Sequence, residues 1–314
     1  MRSTASLIFG LSFTLLSGCG AATSTHHSAQ PTTPVATPAD GSSTPPPAAA
    51  PGDPAPVAIP KAADPTLPMT IGALGDSITA AFDAEAFLQE SPGLSWSTGD
   101  AVDATNASHY ARFHNDLKVA SLKAFNKAVT GATAAGLADQ VDELVSVEGG
   151  TPRYVTILIG ANDVCGWPAD DSAALATYKE RLHDAVARLV ATEPDVHVAL
   201  VGTPDLGRLY TLKKADARCR SIWDAAALCP QLLSSGASDA DRQAFQQRWA
   251  AMNAVLPVVA AAVPKNARVT GDVDAAAFTD AQVSAIDCFH PSPAGHKLIS
   301  DHAWDAAFAR AALP

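Results

Sequence analysis

Five residues of this 314-residue chain have the types that acyl transfer requires. Ser77, in the run Gly75-Asp76-Ser77, offers a hydroxyl that could attack an ester carbonyl. His290 would take the serine proton and return it to the leaving alkoxide. Asp287, three residues earlier, can reach the other ring nitrogen and fix its tautomer. The oxyanion that develops needs preorganised donors, for which the backbone N–H groups of Ser77 and Gly131 and the side-chain amide of Asn162 are the candidates. Each signal is weak alone. Gly-Asp-Ser is also an ordinary turn, and a glycine ahead of a helix is also an ordinary junction.

The elements that must position these residues make the set coherent. Ile71 to Leu74, bounded by Pro68, reads as a short buried strand ending in Gly75-Asp76-Ser77. A second strand falls within Leu117 to Val129, ahead of Gly131 and a helix through Leu137, Val141, Leu144 and Val145. Tyr154 to Gly160 is nearly continuous and rich in β-branched residues, as a parallel strand buried on both faces should be, and it runs into Ala161-Asn162-Asp163. A helix over Ser172 to Thr192, strands at Val196 to Gly202 and Ala267 to Thr270, a helix from Asp241 interrupted near Pro257, and a final helix through Leu298 and His302 complete the pattern. Thr203 to Ser238 reads as irregular. Strands alternating with helices predict a three-layer α/β/α sandwich around a parallel sheet, flavodoxin-like in class. In such a sheet the carboxyl ends of the strands share one edge, so Ser77, Gly131, Asn162, Asp287 and His290 can converge.

Gly-Asp-Ser near the start, a glycine after the second strand, Gly160-Ala-Asn-Asp163 after the third and Asp287-x-x-His290 near the end resemble the four blocks of the SGNH (GDSL-type) hydrolases. The resemblance runs from Met69 to the neighbourhood of His302. It implies an SGNH-hydrolase domain over residues 68–314, with Ser77 as nucleophile and oxyanion donor, Gly131 and Asn162 as further donors, and Asp287 and His290 completing a triad. Ser95-Trp-Ser-Thr-Gly99 and Gly160-Ala-Asn-Asp-Val-Cys165 are similar to a phospholipase-B-like branch, which favours a lipid or other acyl ester. The expected activity is that of a serine esterase or lipase needing no cofactor and no metal, acting as a monomer on a small-molecule or lipid ester. The alternatives are an acetyl-glycan esterase and an inert surface-binding lipoprotein on the same fold. The latter would be expected to have lost one of Ser77, Asn162 or His290. The insertion after Ser77, to Leu117, could wall the substrate or shield the sheet.

Competing chemistries fit less well. Ser77 does not lie in a Gly-x-Ser-x-Gly elbow, and neither a Gly-x-x-x-x-Gly-Lys phosphate loop nor a His-Glu-x-x-His zinc helix occurs. Asp287, Cys288, His290 and His296 could imitate a metal site, but no second ligand pair with metal spacing accompanies them. Cys288 is a poor nucleophile beside Asp287, which would raise its pKa. A net charge of −11 without any basic run excludes nucleic acid as a natural partner.

The amino terminus reads as a processing signal over residues 1–18: Arg2, then an apolar stretch from Leu7 to Leu16, then Leu16-Ser17-Gly18-Cys19. The last four residues resemble the lipobox of bacterial lipoproteins, which implies lipidation of Cys19 and a membrane anchor, against simple secretion. Residues 19–67, rich in Ala, Thr, Ser and Pro, would be a disordered tether, in which His26-His27 is incidental. Outside the cytoplasm the remaining four cysteines should be oxidised, with three possible pairings. The expected bridges are Cys165–Cys288, tying the Asn162 loop to the His290 loop, and Cys219–Cys229, local to one segment.

Overall fold

The computed structural model describes residue 64 and residues 67–100, 107–148, 150–167 and 172–314. The expected signal segment, the Cys19 lipidation site and nearly all of the 19–67 stretch lie outside the described residues.

Five strands form one wholly parallel sheet: β1 Met69–Gly75, β2 Leu122–Asn126, β3 Tyr154–Leu158, β4 His197–Leu200 and β5 Ala267–Val269. Their spatial order is β2-β1-β3-β4-β5. The chain starts at β1, steps outward to β2, then crosses back over β1 to β3. The order therefore reverses beside β1, which puts the crevice of an open α/β sheet at the carboxyl end of that strand. β1 and β3 are buried at every position, as expected of central strands covered by helices on both faces. The helix Ser172–Thr192 presents Tyr178, Leu182, Val186 and Leu189 to the core, one residue per turn. Gly72 lets the helix Leu137–Val145 approach closely, since a Cβ there would stand 2.8 Å from the Leu144 methyls.

Pro257 falls in the first turn of the helix Val255–Ala262, immediately after the helix Asp239–Asn253, and so separates the two. Residues 203–238 depart from expectation. They fold into three short helices, Leu206–Lys213, Ala217–Ala225 and Pro230–Leu233. The first two begin at Asp205 and Asp216, whose carboxylates cap the first-turn N–H groups. The caps were in the sequence, but helices this short carry too little apolar periodicity to be read.

The cysteine pairing is corrected. The structure joins Cys165 to Cys229 and Cys219 to Cys288, not Cys165 to Cys288 and Cys219 to Cys229. A Cys219–Cys229 bridge is opposed by the helix Ala217–Ala225, whose rise carries the chain about 9 Å beyond Cys219 before it ends. Cys288 does neighbour His290, but its backbone is left-handed (φ 58°). Its sulfur bonds to Cys219, and its carbonyl accepts the indole N–H of Trp223 on the same helix. Cys165, on the short helix Ala161–Gly166, meets Cys229 ahead of the helix Pro230–Leu233.

Candidate active site

Ser77 is the first residue of a single helical turn, Ser77–Ala80, entered directly from β1. Gly75 makes the entry possible: at φ 157° a Cβ would lie 2.4 Å from the Leu158 carbonyl oxygen. Both polar groups of Gly75 are held by one side chain. Its N–H donates to Gln140 Oε1 and its carbonyl accepts from Gln140 Nε2, each at 2.9 Å. Asp76 caps the turn by accepting the Ile78 N–H at 3.0 Å. At the other end the Thr79 carbonyl accepts from the Ser95 hydroxyl and the Asn126 amide, both at 2.8 Å, and the Trp96 indole N–H reaches the Thr79 hydroxyl. Ser95, Trp96 and Ser97 are completely or almost completely buried. That part of the insertion braces the serine turn and does not wall a substrate.

His290 Nε2 stands 2.8 Å from Ser77 Oγ, and its Nδ1 stands 2.5 Å from Asp287 Oδ2. The other Asp287 oxygen accepts the backbone N–H groups of Phe289 (2.9 Å) and His290 (3.1 Å), so the carboxylate is fixed by its own loop. The same loop is closed by Ser284 N–H to His290 O and Cys288 N–H to Ser284 O. It is tied outward by the Cys219 disulfide and by Arg218, which donates to the Ile286 carbonyl. Phe82 and Phe289 pack edge-on against the imidazole, with ring centroids 5.3 and 5.0 Å away.

Asn162 and Asp163 grip the loop after β2. The Asn162 amide donates to the Ala132 carbonyl at 2.9 Å, and the Asp163 carboxylate accepts the Ala134 N–H. The same loop is tied to β1 through Val129 N–H to Gly75 O. Gly131 sits at its exposed tip with φ 82°, a conformation that disfavours any side chain. Ser77, Asp287 and His290 are thus one hydrogen-bonded chain, and Asn162 and the Gly131 loop are bound to each other beside it.

The metal alternative fails on chemistry, because Cys288 is committed to a disulfide. His296, on the helix Pro293–Ala303, is buried, and neither ring nitrogen has a hydrogen-bond partner. Burial, reinforced by the nearby His290, lowers its pKa to about 3. Among the described residues another group of potential ligands is Asp83, Asp287 and His290, but both nitrogens of His290 already serve Asp287 and Ser77. Asp83 was not singled out from the sequence. Its buried carboxylate has a raised pKa, chiefly from desolvation and further from Asp287. Gln140 was also missed, since a helix glutamine 65 residues from its partner leaves no local signal.

Burial also raises Asp76 to about 7; Oδ1 keeps the Ile78 N–H, whereas Oδ2 has no hydrogen-bond partner. Beside His290 opens an apolar cleft. Ile78, Leu206, Leu209, Phe278, Val283 and Phe289 are among its walls. Arg208, which donates to the Phe278 carbonyl, and the Lys213–Asp280 ion pair hold the two sides together.

No curated protein matches this chain at a significant level. Among solved structures, an extracellular lipase from Streptomyces rimosus is 19% identical, with 75% of this chain and 100% of that one covered at a TM-score of 0.46. A lipase/acylhydrolase from Enterococcus faecalis is 22% identical, with 74% and 92% covered at 0.46. Phospholipase A1 from Streptomyces albidoflavus NA297 is 17% identical, with 76% and 100% covered at 0.44. The family itself is shown by the sequence: residues 71–303 match the model described as GDSL-like Lipase/Acylhydrolase, and the chain belongs to that family of carboxylic ester hydrolases.

Proposed function

We propose that the chain is an extracytoplasmic serine esterase whose triad is Ser77, His290 and Asp287. The observation that carries this reading is the unbroken hydrogen-bonded chain from Asp287 through His290 to Ser77. With Nδ1–H donated to Asp287, Nε2 is left to accept the serine proton. Ser77 Oγ attacks the ester carbonyl carbon, and the proton moves to Nε2. The carbonyl oxygen becomes an oxyanion, received by the N–H groups of Ser77 and Gly131 and by the amide of Asn162. Collapse expels the alkoxide, which takes the proton from His290 and leaves an acyl-serine. Water, deprotonated by the same histidine, then releases the carboxylic acid.

The cleft beside His290 supports an ester with an apolar substituent, whether acyl chain or alcohol, in keeping with the phospholipase-B-like resemblance of the Ser95–Gly99 motif. An inert surface-binding lipoprotein would have no use for a serine held 2.8 Å from a carboxylate-oriented imidazole. Two disulfides suit an oxidising compartment, and no helix among the described residues is long and apolar enough to cross a membrane. Attachment is proposed to run through a lipid on Cys19, on a chain that works as a monomer.

A fluorophosphonate serine probe should label the wild type at Ser77 and fail to label Ser77→Ala. That variant should lose ester hydrolysis while keeping its thermal midpoint. Labelling elsewhere, or near-full turnover by Ser77→Ala, overturns the proposed mechanism.

A further inference from the structure

Three large exposed apolar side chains lie on two loops at the rim of the candidate site. Among the described residues the exposed large hydrophobics are Leu67, Phe87, Leu88, Val129 and Val258, with Phe87 and Leu88 the most exposed at 67% and 65%. Phe87 and Leu88 cap a loop whose base is locked to the catalytic histidine's surroundings. Phe82 pairs with Glu90 across the base and lays its ring edge against His290. The Ser284 hydroxyl, from the His290 loop, donates to the Asp83 carbonyl at 2.6 Å. Val129 belongs to the neighbouring Gly131 loop, which reaches the same rim where the Thr130 hydroxyl donates to Glu90 at 2.6 Å.

The display of these side chains is built into the loop. Leu88 has left-handed backbone (φ 54°), a conformation that a leucine resists. It is held there because its N–H donates to the buried Asp83 carboxylate, while the Asp83 N–H donates to the Gln89 carbonyl at 2.9 Å. Asp83 itself is left-handed, at φ 51°. A buried carboxylate and two disfavoured residues together keep a leucine and a phenylalanine in water. Such exposure is costly to solubility.

We infer that Phe87 and Leu88, with Val129 beside them, form a docking tip that enters the surface of an aggregated, uncharged or zwitterionic lipid and brings the Ser77–His290 opening against it. Charge selects that surface. Between Phe82 and Ser91 the exposed charges are Glu85 and Glu90, with no lysine or arginine, on a chain of net charge −11. An anionic bilayer would repel it, whereas a phosphatidylcholine surface offers apolar burial without that penalty. The inference rests on the chain being an ester hydrolase only for its kinetic consequence. The docking itself does not require turnover.

The test uses the full chain carrying Cys19→Ser, so that no lipid anchor contributes, and a second protein with Phe87→Ser and Leu88→Gly added. Glycine accepts the left-handed backbone at position 88, so the altered loop should be no less stable. The parent should co-sediment with phosphatidylcholine vesicles and bind progressively less as phosphatidylglycerol replaces phosphatidylcholine. The double variant should partition at least about tenfold more weakly, because each buried Phe or Leu side chain is worth about that factor or more. Both proteins should hydrolyse a monomeric, water-soluble short-chain ester at the same rate and take the fluorophosphonate probe equally. A parent that stays off phosphatidylcholine vesicles, or a double variant that binds them as well as the parent, overturns the inference. So does a parent whose exposed tip is found shielded by a second copy or by its own residues 20–63. If neither protein takes the probe while the vesicle result holds, the hydrolase mechanism fails and the docking stands.

Discussion

Asp76 is the residue whose charge state most directly couples stability to pH. Its folded pKa is raised from 3.8 to about 7 by burial, so the folded state holds a proton that the unfolded chain has released. Its stabilising contribution is fully present below 3.8 and is lost as pH rises through about 7. Buried His109 and His296 act in the opposite direction. Both are lowered from 6.5 to about 3, so their contribution is present above 6.5 and is lost as pH falls towards 3. Asp76→Asn keeps an acceptor for the Ile78 N–H and removes the ionisation. Its stability relative to wild type should therefore climb between pH 3.8 and about 7 and be flat beyond. Urea midpoints across that range decide it, and parallel wild-type and variant curves would contradict the assignment. Asn162→Ala should lower kcat by about a hundredfold or more, the usual cost of losing an oxyanion donor. Because the amide also holds the Ala132 carbonyl, part of that loss should come from a loosened Gly131 loop. A variant within a few-fold of wild type would remove Asn162 from the mechanism. Ser77 and Asn162 were legible as candidates because each closely follows a buried strand, and Asp287 and His290, which lie well beyond β5, only through their Asp-x-x-His spacing. Asp83 and Gln140 were not, since their partners lie on elements distant in sequence or in a loop without periodic pattern.

At the scale of elements, β1, β3 and β4 could be read because burial on both faces leaves continuous apolar runs, and the long helices because burial on one face leaves a helical period. β2 and β5, only partly buried, were placed by the alternation of strands and helices. The 203–238 region shows where that reading stops. Disulfides hold its second and third short helices, and a few buried side chains such as Leu206, Leu209 and Trp223 pack the region without a long apolar stripe. The bridges obey three-dimensional proximity that no spacing encodes. The corrected pairing changes the prediction. The consecutive helices Ala217–Ala225 and Pro230–Leu233 lie on a segment that carries Cys219 at one end, bonded to the His290 loop, and Cys229 at the other, bonded to the Asn162 helix. That segment is thus a common brace for the His290 loop and the Asn162 helix. With sequence separations of 64 and 69 between partners, each bridge should stabilise the fold by about 4 kcal/mol on the chain-entropy model. Cys219→Ser with Cys288→Ser should depress kcat, because the His290 loop loses a tether, and raise KM as well, because Val283 and Phe289 on that loop wall the cleft. Cys165→Ser with Cys229→Ser should depress kcat through Asn162 with little effect on KM. An unchanged kcat in the native state of either pair would reduce that bridge to a purely stabilising role.

For the molecule as a whole, the question is where a domain of this chemistry is held. Two features point to the outer side of a membrane: the Leu16-Ser17-Gly18-Cys19 run behind a short apolar stretch, and the two disulfides. An apolar stretch from Leu7 to Leu16 is too short to span comfortably, so anchoring would depend on acyl chains carried by Cys19. A single acyl chain binds membranes only marginally, whereas several on one terminus hold firmly. The wild type should therefore fractionate with membranes and stay there in high salt, and mass analysis should find the mature chain beginning at an acylated Cys19. Cys19→Ser should leave a cell membrane rich in anionic lipid, which repels the acidic Phe87–Leu88 tip, with its esterase activity per molecule on a soluble ester intact, because the candidate site lies wholly within residues 69–303. Salt-resistant membrane association by Cys19→Ser would shift the anchoring role to the Phe87–Leu88 tip. A wild type that carries no lipid and is wholly released would end the lipoprotein proposal and leave secretion in its place.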